Sequence, residues 1–168
     1  MTRSAFVLLL ALLAAGCNYG FTGGGLPAHV RTVAVLPFEN ETSQPLVETD
    51  IQRALQLALP RNLGVRIAEE AVANAIVRGT VSSYEEVVSS IRPTQPGSTS
   101  NQVPVAQRQV RIVFDAEIYD VANDVVIWRA QSQSVTGSFS ESESQEDGRT
   151  RAIVEIVTRF VEGAQSQW

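Results

Sequence analysis

The sequence is poor in several residue types. None of its 168 residues is a lysine, all 13 basic residues are arginines, and cysteine, histidine and methionine occur once each. A single cysteine excludes a disulfide framework within the chain, and one cysteine with one histidine supplies too few ligands for a closed structural zinc site. The 18 acidic residues bring the net charge to −5, which argues against a general surface for nucleic acids.

Groups suited to catalysis are also scarce. The only histidine, His29, follows a glycine-containing stretch that we interpret as a tether, so no base is placed to activate a nucleophile. The glycines at 23–25 lack the Gly-Lys-Ser/Thr ending of a phosphate-binding loop. The residues therefore make no positive case for an enzyme, and they indicate no cofactor and no metal site.

The lone cysteine follows a hydrophobic segment. Arg3 supplies a positive start, residues 5–15 are an unbroken apolar run, and small residues directly precede Cys17. As a helix the run rises only about 16 Å, against a hydrocarbon core of about 30 Å, which favours a secretory signal over a transmembrane helix. The junction resembles the lipobox of bacterial lipoproteins, although Ala14 stands where leucine is preferred. That resemblance implies cleavage before Cys17 and acylation of this residue.

Ordinary signal cleavage that leaves a free thiol is the alternative, and the rarity of unpaired cysteines in exported chains argues against it. Asn18 would be the second residue of the mature chain. In bacteria resembling the enteric model, aspartate at that position retains lipoproteins in the inner membrane, so Asn18 favours the outer membrane. We expect a signal peptide over 1–16, a lipidated tether over 17–30 and a single domain over 31–168.

The rest of the chain shows strand and helix periodicities. The clearest strand has Val110, Phe114 and Ile118 on one face and charged residues on the other, with Trp128 also facing inward on the returning strand. Two helices are predicted, one capped by Thr42 or Ser43 and ending between Pro60 and Gly64, and one amphipathic over 153–164. Further strands are predicted near 31–36, 65–67, 75–91 and 125–135, with loops at 92–104 and 137–148, the second of them a solvated connector.

This order of elements predicts an α+β fold in two layers, in which two helices pack on one face of a mostly antiparallel sheet of about four strands. In the same order the chain resembles the LptE family of lipopolysaccharide (LPS) assembly lipoproteins. Three stretches carry the resemblance: Cys17-Asn-Tyr-Gly-Phe21 with the glycine-rich path to Leu26-Pro27, Val33-Ala-Val-Leu-Pro-Phe-Glu-Asn40 with the helix after Pro45, and Ala75-Ile-Val-Arg-Gly-Thr-Val81.

The stretch from Val33 to Asn40 also occurs in other periplasmic lipoproteins, including curli-secretion and peptidoglycan-synthase-activator relatives. An outer-membrane lipoprotein that regulates or scaffolds another periplasmic machine therefore remains the alternative. Membership of the LptE family implies a non-enzymatic protein whose partner is the β-barrel LPS translocon LptD. The lipoprotein would plug the barrel lumen and assist insertion of LPS into the outer leaflet.

The resemblance also implies contact with LPS itself. Arginine pairs with phosphate groups in a bidentate manner, so the phosphates of lipid A favour arginine contacts. Arg92, Arg108 and Arg111 lie in and beside the predicted loop and the clearest strand, and we take them as candidate contacts. The alternative is that they are ordinary solvent-facing arginines.

Overall fold

Six strands form one mixed sheet in the structure, a computed structural model that describes residues 25–91 and 106–166. Two helices pack on one face of this sheet, so the α+β prediction is confirmed, with six strands where about four were expected. The strands are β1 (Thr32–Val35), β2 (Glu39–Asn40), β3 (Arg66–Ile67), β4 (Ala75–Ile91), β5 (Ala106–Asp120) and β6 (Val125–Phe139); the helices are α1 (Val47–Leu63) and α2 (Gln145–Gln165), and Glu70–Val72 form a 3-10 turn.

The sheet is built around the long antiparallel trio β4, β5 and β6. Its strand order is β3-β1-β4-β5-β6, and β2 also pairs with β4. The short strands β1 and β2 pair in parallel with β4, with Val33 opposite Ala75 and Glu39 opposite Thr80. Most of the paired residues in the sheet are therefore in antiparallel pairs, and the mostly antiparallel sheet that we predicted is confirmed. The loop predicted at 92–104 lies outside the described residues.

The alternation along β5 separates a buried face from an exposed one. From Val110 to Ile118 its even-numbered residues, among them Phe114, are buried on the helix side, and its odd-numbered residues face away from the helices. Helix α2 contributes Phe160, whose ring centroid lies 6.3 Å from that of Phe38 and 4.7 Å from that of Trp128. The inward orientation predicted for Phe114 and Trp128 is therefore confirmed.

The start of α1 differs from the prediction. The helix begins at Val47, and the residue before it, Leu46, makes no side-chain cap, so Thr42 and Ser43 are not the capping residues. The side chain of Asn40 closes the preceding loop instead, because it accepts hydrogen bonds from Thr42 and donates one to the backbone oxygen of Gln44. The capping motif that we used considers only residues directly before the helix, so it could not predict that Asn40 of β2 closes this loop.

The end of α1 is also later than the proline suggests. Pro60 lies inside the helix, which loses one backbone hydrogen bond there but continues to Leu63. Gly64 then ends the helix with φ of 67°, a left-handed conformation that glycine adopts without steric penalty.

The stretch 137–148 is not the solvated connector that its composition predicted. Strand β6 continues to Phe139, which is buried in the core, and Gly137 and Gly148 are buried as well. A Cβ atom on Gly148 would lie 2.5 Å from Cδ1 of Phe139 and 3.0 Å from the backbone oxygen of Gly137. The two glycines thus let α2 approach β6 closely, an effect that a count of serines and acids hides.

We expect Gly137→Ala to lower the free energy of unfolding by about 1–3 kcal/mol, although alanine fits a strand better than glycine does. The reason is steric, since the added Cβ would overlap the backbone oxygen of Gly148 and lie 2.5 Å from the nitrogen of Ala152. Urea denaturation measures the effect, and Thr136→Ala at the exposed neighbouring position is the control. Equal stability of the Gly137 variant and the wild type would contradict the close approach.

Candidate interaction surface

The face of the sheet away from the helices is polar. Strand β4 places Arg78 there, β5 places Asp115, Glu117 and Tyr119 there, and β6 contributes Arg129. The cross-strand register decides which of these meet, because Arg78 lies opposite Glu117 and Glu117 lies opposite Arg129. We call this surface the open face.

Glu117 is held between two arginines on the open face. Its Oε1 accepts a hydrogen bond from Nε of Arg78 at 2.7 Å, and its Oε2 accepts bonds from Nε and Nη2 of Arg129 at 3.0 and 2.7 Å. The Glu117 side chain is 14% exposed, whereas both arginines are about half exposed. One carboxylate therefore fixes the geometry of two cations that otherwise face solvent.

The pairing changes the acidity of Glu117. Desolvation by partial burial raises the pKa of its carboxyl, but the hydrogen bonds from Arg129 and Arg78 outweigh it, and the net pKa lies below the ordinary value. The carboxylate is therefore charged over the whole physiological range.

Tyr119 extends the same network towards the β5–β6 turn. The guanidinium carbon of Arg78 lies 5.5 Å from the centroid of the Tyr119 ring, a distance suited to a cation–π contact. The Tyr119 hydroxyl donates a hydrogen bond to Asp124, and this bond is the main reason that the pKa of the phenol lies above its ordinary value. Tyr119 thus connects the centre of the open face with the end of the sheet.

A bulge in β6 shapes the middle of the open face. Asp115 of β5 lies where β6 carries one extra residue, and its Oδ1 accepts a hydrogen bond from the backbone nitrogen of Ser132 at 2.9 Å. Ser132 has φ of 47°, in the left-handed region. Beside the bulge is an open groove with a volume of about 490 Å³. Its lining includes Pro37, Glu39, Thr80 and Gln131 besides the arginine pair.

The structure does not bring the described members of the predicted arginine set together. Arg108 lies on the helix side of β5, where its Nη1 is 3.2 Å from Oε1 of Glu86. Arg111 is three residues further along and points to the open face, opposite Glu85 and Thr136, with no ion pair to any residue that the structure describes. An odd spacing on an unbulged strand puts two side chains on opposite faces. Arg92 and Cys17 lie outside the described residues.

The network around Glu117 was not singled out from the sequence. Alternation correctly predicts that Arg78 and Glu117 point away from the core, but these two residues are 39 positions apart, and their meeting depends on the register between β4 and β5. No group of three or more histidine, cysteine, aspartate or glutamate side chains in the described ranges could hold a metal ion. Neither helix in these ranges is long and apolar enough to cross a bilayer.

The segment that we interpreted as a tether contacts the folded body. Val30 is part of the core, Leu26 packs against it, and Nε2 of His29 lies 2.6 Å from Oδ2 of Asp120. Asp120 is 1% exposed and also accepts hydrogen bonds from Asn123. Burial raises the pKa of Asp120, and the bonds from Asn123 and His29 bring the net value below its ordinary range. Packing therefore begins before the domain start expected at residue 31.

Most of the chain matches the model of one protein family. The model of the family described as "LptE: Lipopolysaccharide-assembly" matches residues 30–162. The chain belongs to the LptE family. It is thus a member of a non-enzymatic LPS-assembly lipoprotein family, as the resemblance implied. No curated protein matches the chain.

Several solved structures are similar to this LptE family member in fold. The PelC dodecamer of Paraburkholderia phytofirmans has 20% identity and a TM-score of 0.49, with 82% of this chain and 93% of that chain covered. An uncharacterized lipoprotein B of Nitrosomonas europaea has 15% identity and a TM-score of 0.48, with coverages of 86% and 90%. A minor lipoprotein of Acinetobacter baumannii has 13% identity and a TM-score of 0.45, with coverages of 79% and 94%. Family membership rests on residues 30–162 alone.

We expect Glu117→Gln to lower the free energy of unfolding by about 1 kcal/mol at neutral pH, since an amide cannot neutralise Arg78 and Arg129. A carboxyl whose folded-state pKa is depressed stabilises the fold above the pKa of the unfolded chain, and this contribution is lost as the pH falls through the folded-state value. The difference from wild type in urea denaturation should therefore shrink from about pH 5 downwards.

The matched control is Glu41→Gln, which removes an exposed glutamate whose side chain has no partner among the described residues. This control should leave the free energy of unfolding unchanged both at neutral pH and below about pH 5. A Glu117 variant as stable as this control at pH 7 would show that the two arginine bonds contribute nothing.

Proposed function

We propose that this LPS-assembly lipoprotein plugs the lumen of the β-barrel LPS translocon, LptD, and assists insertion of LPS into the outer leaflet of the outer membrane. The observation that carries the proposal is the family match, which spans nearly all of the folded body. The proposed place of action is the outer membrane, to which acyl chains on Cys17 would attach the protein. Neither plugging of the lumen nor assistance of LPS insertion requires a catalytic group.

The surface of the body supports a place in a water-lined barrel. The open face is lined by paired charges and by polar side chains such as Thr80 and Gln131. The outer sides of the helices carry isolated exposed apolar residues, Leu57 on α1 and Val154 on α2. A body with this distribution can fill a polar lumen without exposing a large apolar area, and the interface would be extensive and mostly polar.

Arg92, Arg108 and Arg111 remain our proposed contacts to the phosphates of LPS. The geometry favours independent contacts over a shared site for the two described members. Arg108 is already paired with Glu86, and Arg111 faces the opposite side of β5. Arg111 thus offers its guanidinium to an anion more readily.

Affinity purification from envelopes in mild detergent tests the proposed complex. We expect a large β-barrel protein to be recovered with the tagged chain, and depletion of the chain to reduce LPS at the cell surface. A solitary monomer under conditions that keep other barrels intact would contradict the proposal. Recovery of a peptidoglycan enzyme or a secretion pore, with unchanged surface LPS, would support the alternative function.

The lipid anchor has its own test. Mass spectrometry of the mature protein should show loss of residues 1–16 and acyl mass on Cys17. Cys17→Ala should abolish the acyl mass and the cleavage directly before residue 17, and should leave the chain either soluble after cleavage elsewhere or with its signal retained, because stable anchoring needs more than one acyl chain. Asn18→Ala is the control, since it changes the neighbouring residue and leaves the acylated cysteine in place. A mature wild-type protein without acyl mass would overturn the anchor.

A further inference from the structure

Four exposed valines gather at one end of the sheet. Val72 lies in the 3-10 turn after β3, Val121 lies in the turn that follows β5, and Val125 and Val126 start β6. We call these four residues the valine end. The buried faces of the sheet and of both helices are already filled by the core, so these side chains are not needed to complete it.

Backbone contacts hold the valine end together. The nitrogen of Val121 donates to the backbone oxygen of Asn74, and the hydroxyl of Thr32 donates to the backbone oxygen of Val72. Val125 lies opposite Asp120 in the β5–β6 ladder. Four valines from three separate parts of the chain are thus presented at the same end.

The described chain enters the body at this same end. Pro27 and His29 line a groove together with Val125 and Val126, and the contact between His29 and Asp120 fixes this entry point. The described chain starts at Gly25, eight positions after Cys17, and covalent geometry limits the distance between these two residues to about 28 Å. Acyl chains on Cys17 would therefore hold the entry point of the chain, and the valine end beside it, within reach of the lipid headgroups.

We propose that, before the body enters a partner barrel, the valine end rests on the surface of the bilayer that holds the acyl chains. This inference rests on the proposed acylation of Cys17. Burial of exposed apolar side chains at the headgroup boundary is favourable. Because the anchor already holds the protein at the membrane, the contact costs little additional translational entropy. The opposite end of β4, at Val88, is about 40 Å further along the strand and beyond the reach of the anchor.

Charge at this end favours apolar contact over attraction to anionic lipid. Glu69, Glu70 and Asp124 are exposed near the valines, and two exposed arginines, Arg31 and Arg66, lie at the starts of β1 and β3. Contact with the bilayer should thus persist in uncharged lipid, whereas a contact driven by basic residues would need anionic headgroups.

The test uses the full lipidated protein in vesicles. Acylation consumes the thiol of Cys17, so a cysteine introduced at Val72 or Val121 carries the only free thiol and accepts an environment-sensitive fluorophore. Vesicles of phosphatidylcholine, with or without phosphatidylglycerol, contain a lipid with a quencher near its headgroup. We expect roughly twofold quenching of both labels in either lipid mixture, since the contact lies in the headgroup region.

Two labelled controls match the exposure of Val72, which is 70%. Val88→Cys at the far end of β4 is 61% exposed, and Val154→Cys on the outer side of α2 is 60% exposed. Both labels should stay unquenched. If the vesicles carry the protein on flotation but the labels at 72 and 121 are quenched no more than these controls, the bilayer contact is overturned and the anchor stands. If the protein does not float with the vesicles, both the anchor and the contact fail.

Discussion

The fold depends on the register of β5 between β4 and β6. From Val110 to Ile118 every second residue of this strand is buried on the helix side, and the intervening residues form the polar open face. A slip of one residue would turn Phe114 and Ile118 outward and bury Asp115 and Glu117, which is why the register is strongly specified. The core, the charge network and the groove are all consequences of this single alignment.

Four register shifts, two in the pairing with β4 and two in the pairing with β6, adjust the neighbouring strands to that alignment. The extra residue near Ser82 in β4 and the one at Ser132 in β6 leave β5 regular while its partners twist around it. The bulge at Ser132 also recruits Asp115, whose side chain takes the place of a ladder partner. The groove on the open face lies beside this irregularity, so the feature that shapes the surface is a local departure from ideal pairing.

The periodic parts of the sequence predicted the fold well. Strand β5, the two helices and the inward positions of Phe114 and Trp128 follow from spacing alone, because burial of one face imposes a period that the residues must obey. The errors fall where the signal is not periodic. Asn40 closes a loop across sequence positions, and the buried pair Gly137 and Gly148 lies in a stretch whose composition indicates solvent.

The sequence by itself determined the element types, the two-layer architecture, the signal-like start with its lone cysteine and the resemblance to the LptE family. Only the tertiary structure decided that Arg78 and Arg129 share Glu117, that Arg108 and Arg111 face opposite sides, and that the entry segment meets Asp120. The reason is physical: periodicity fixes the direction of a side chain, whereas its partner depends on strand order and register between distant segments.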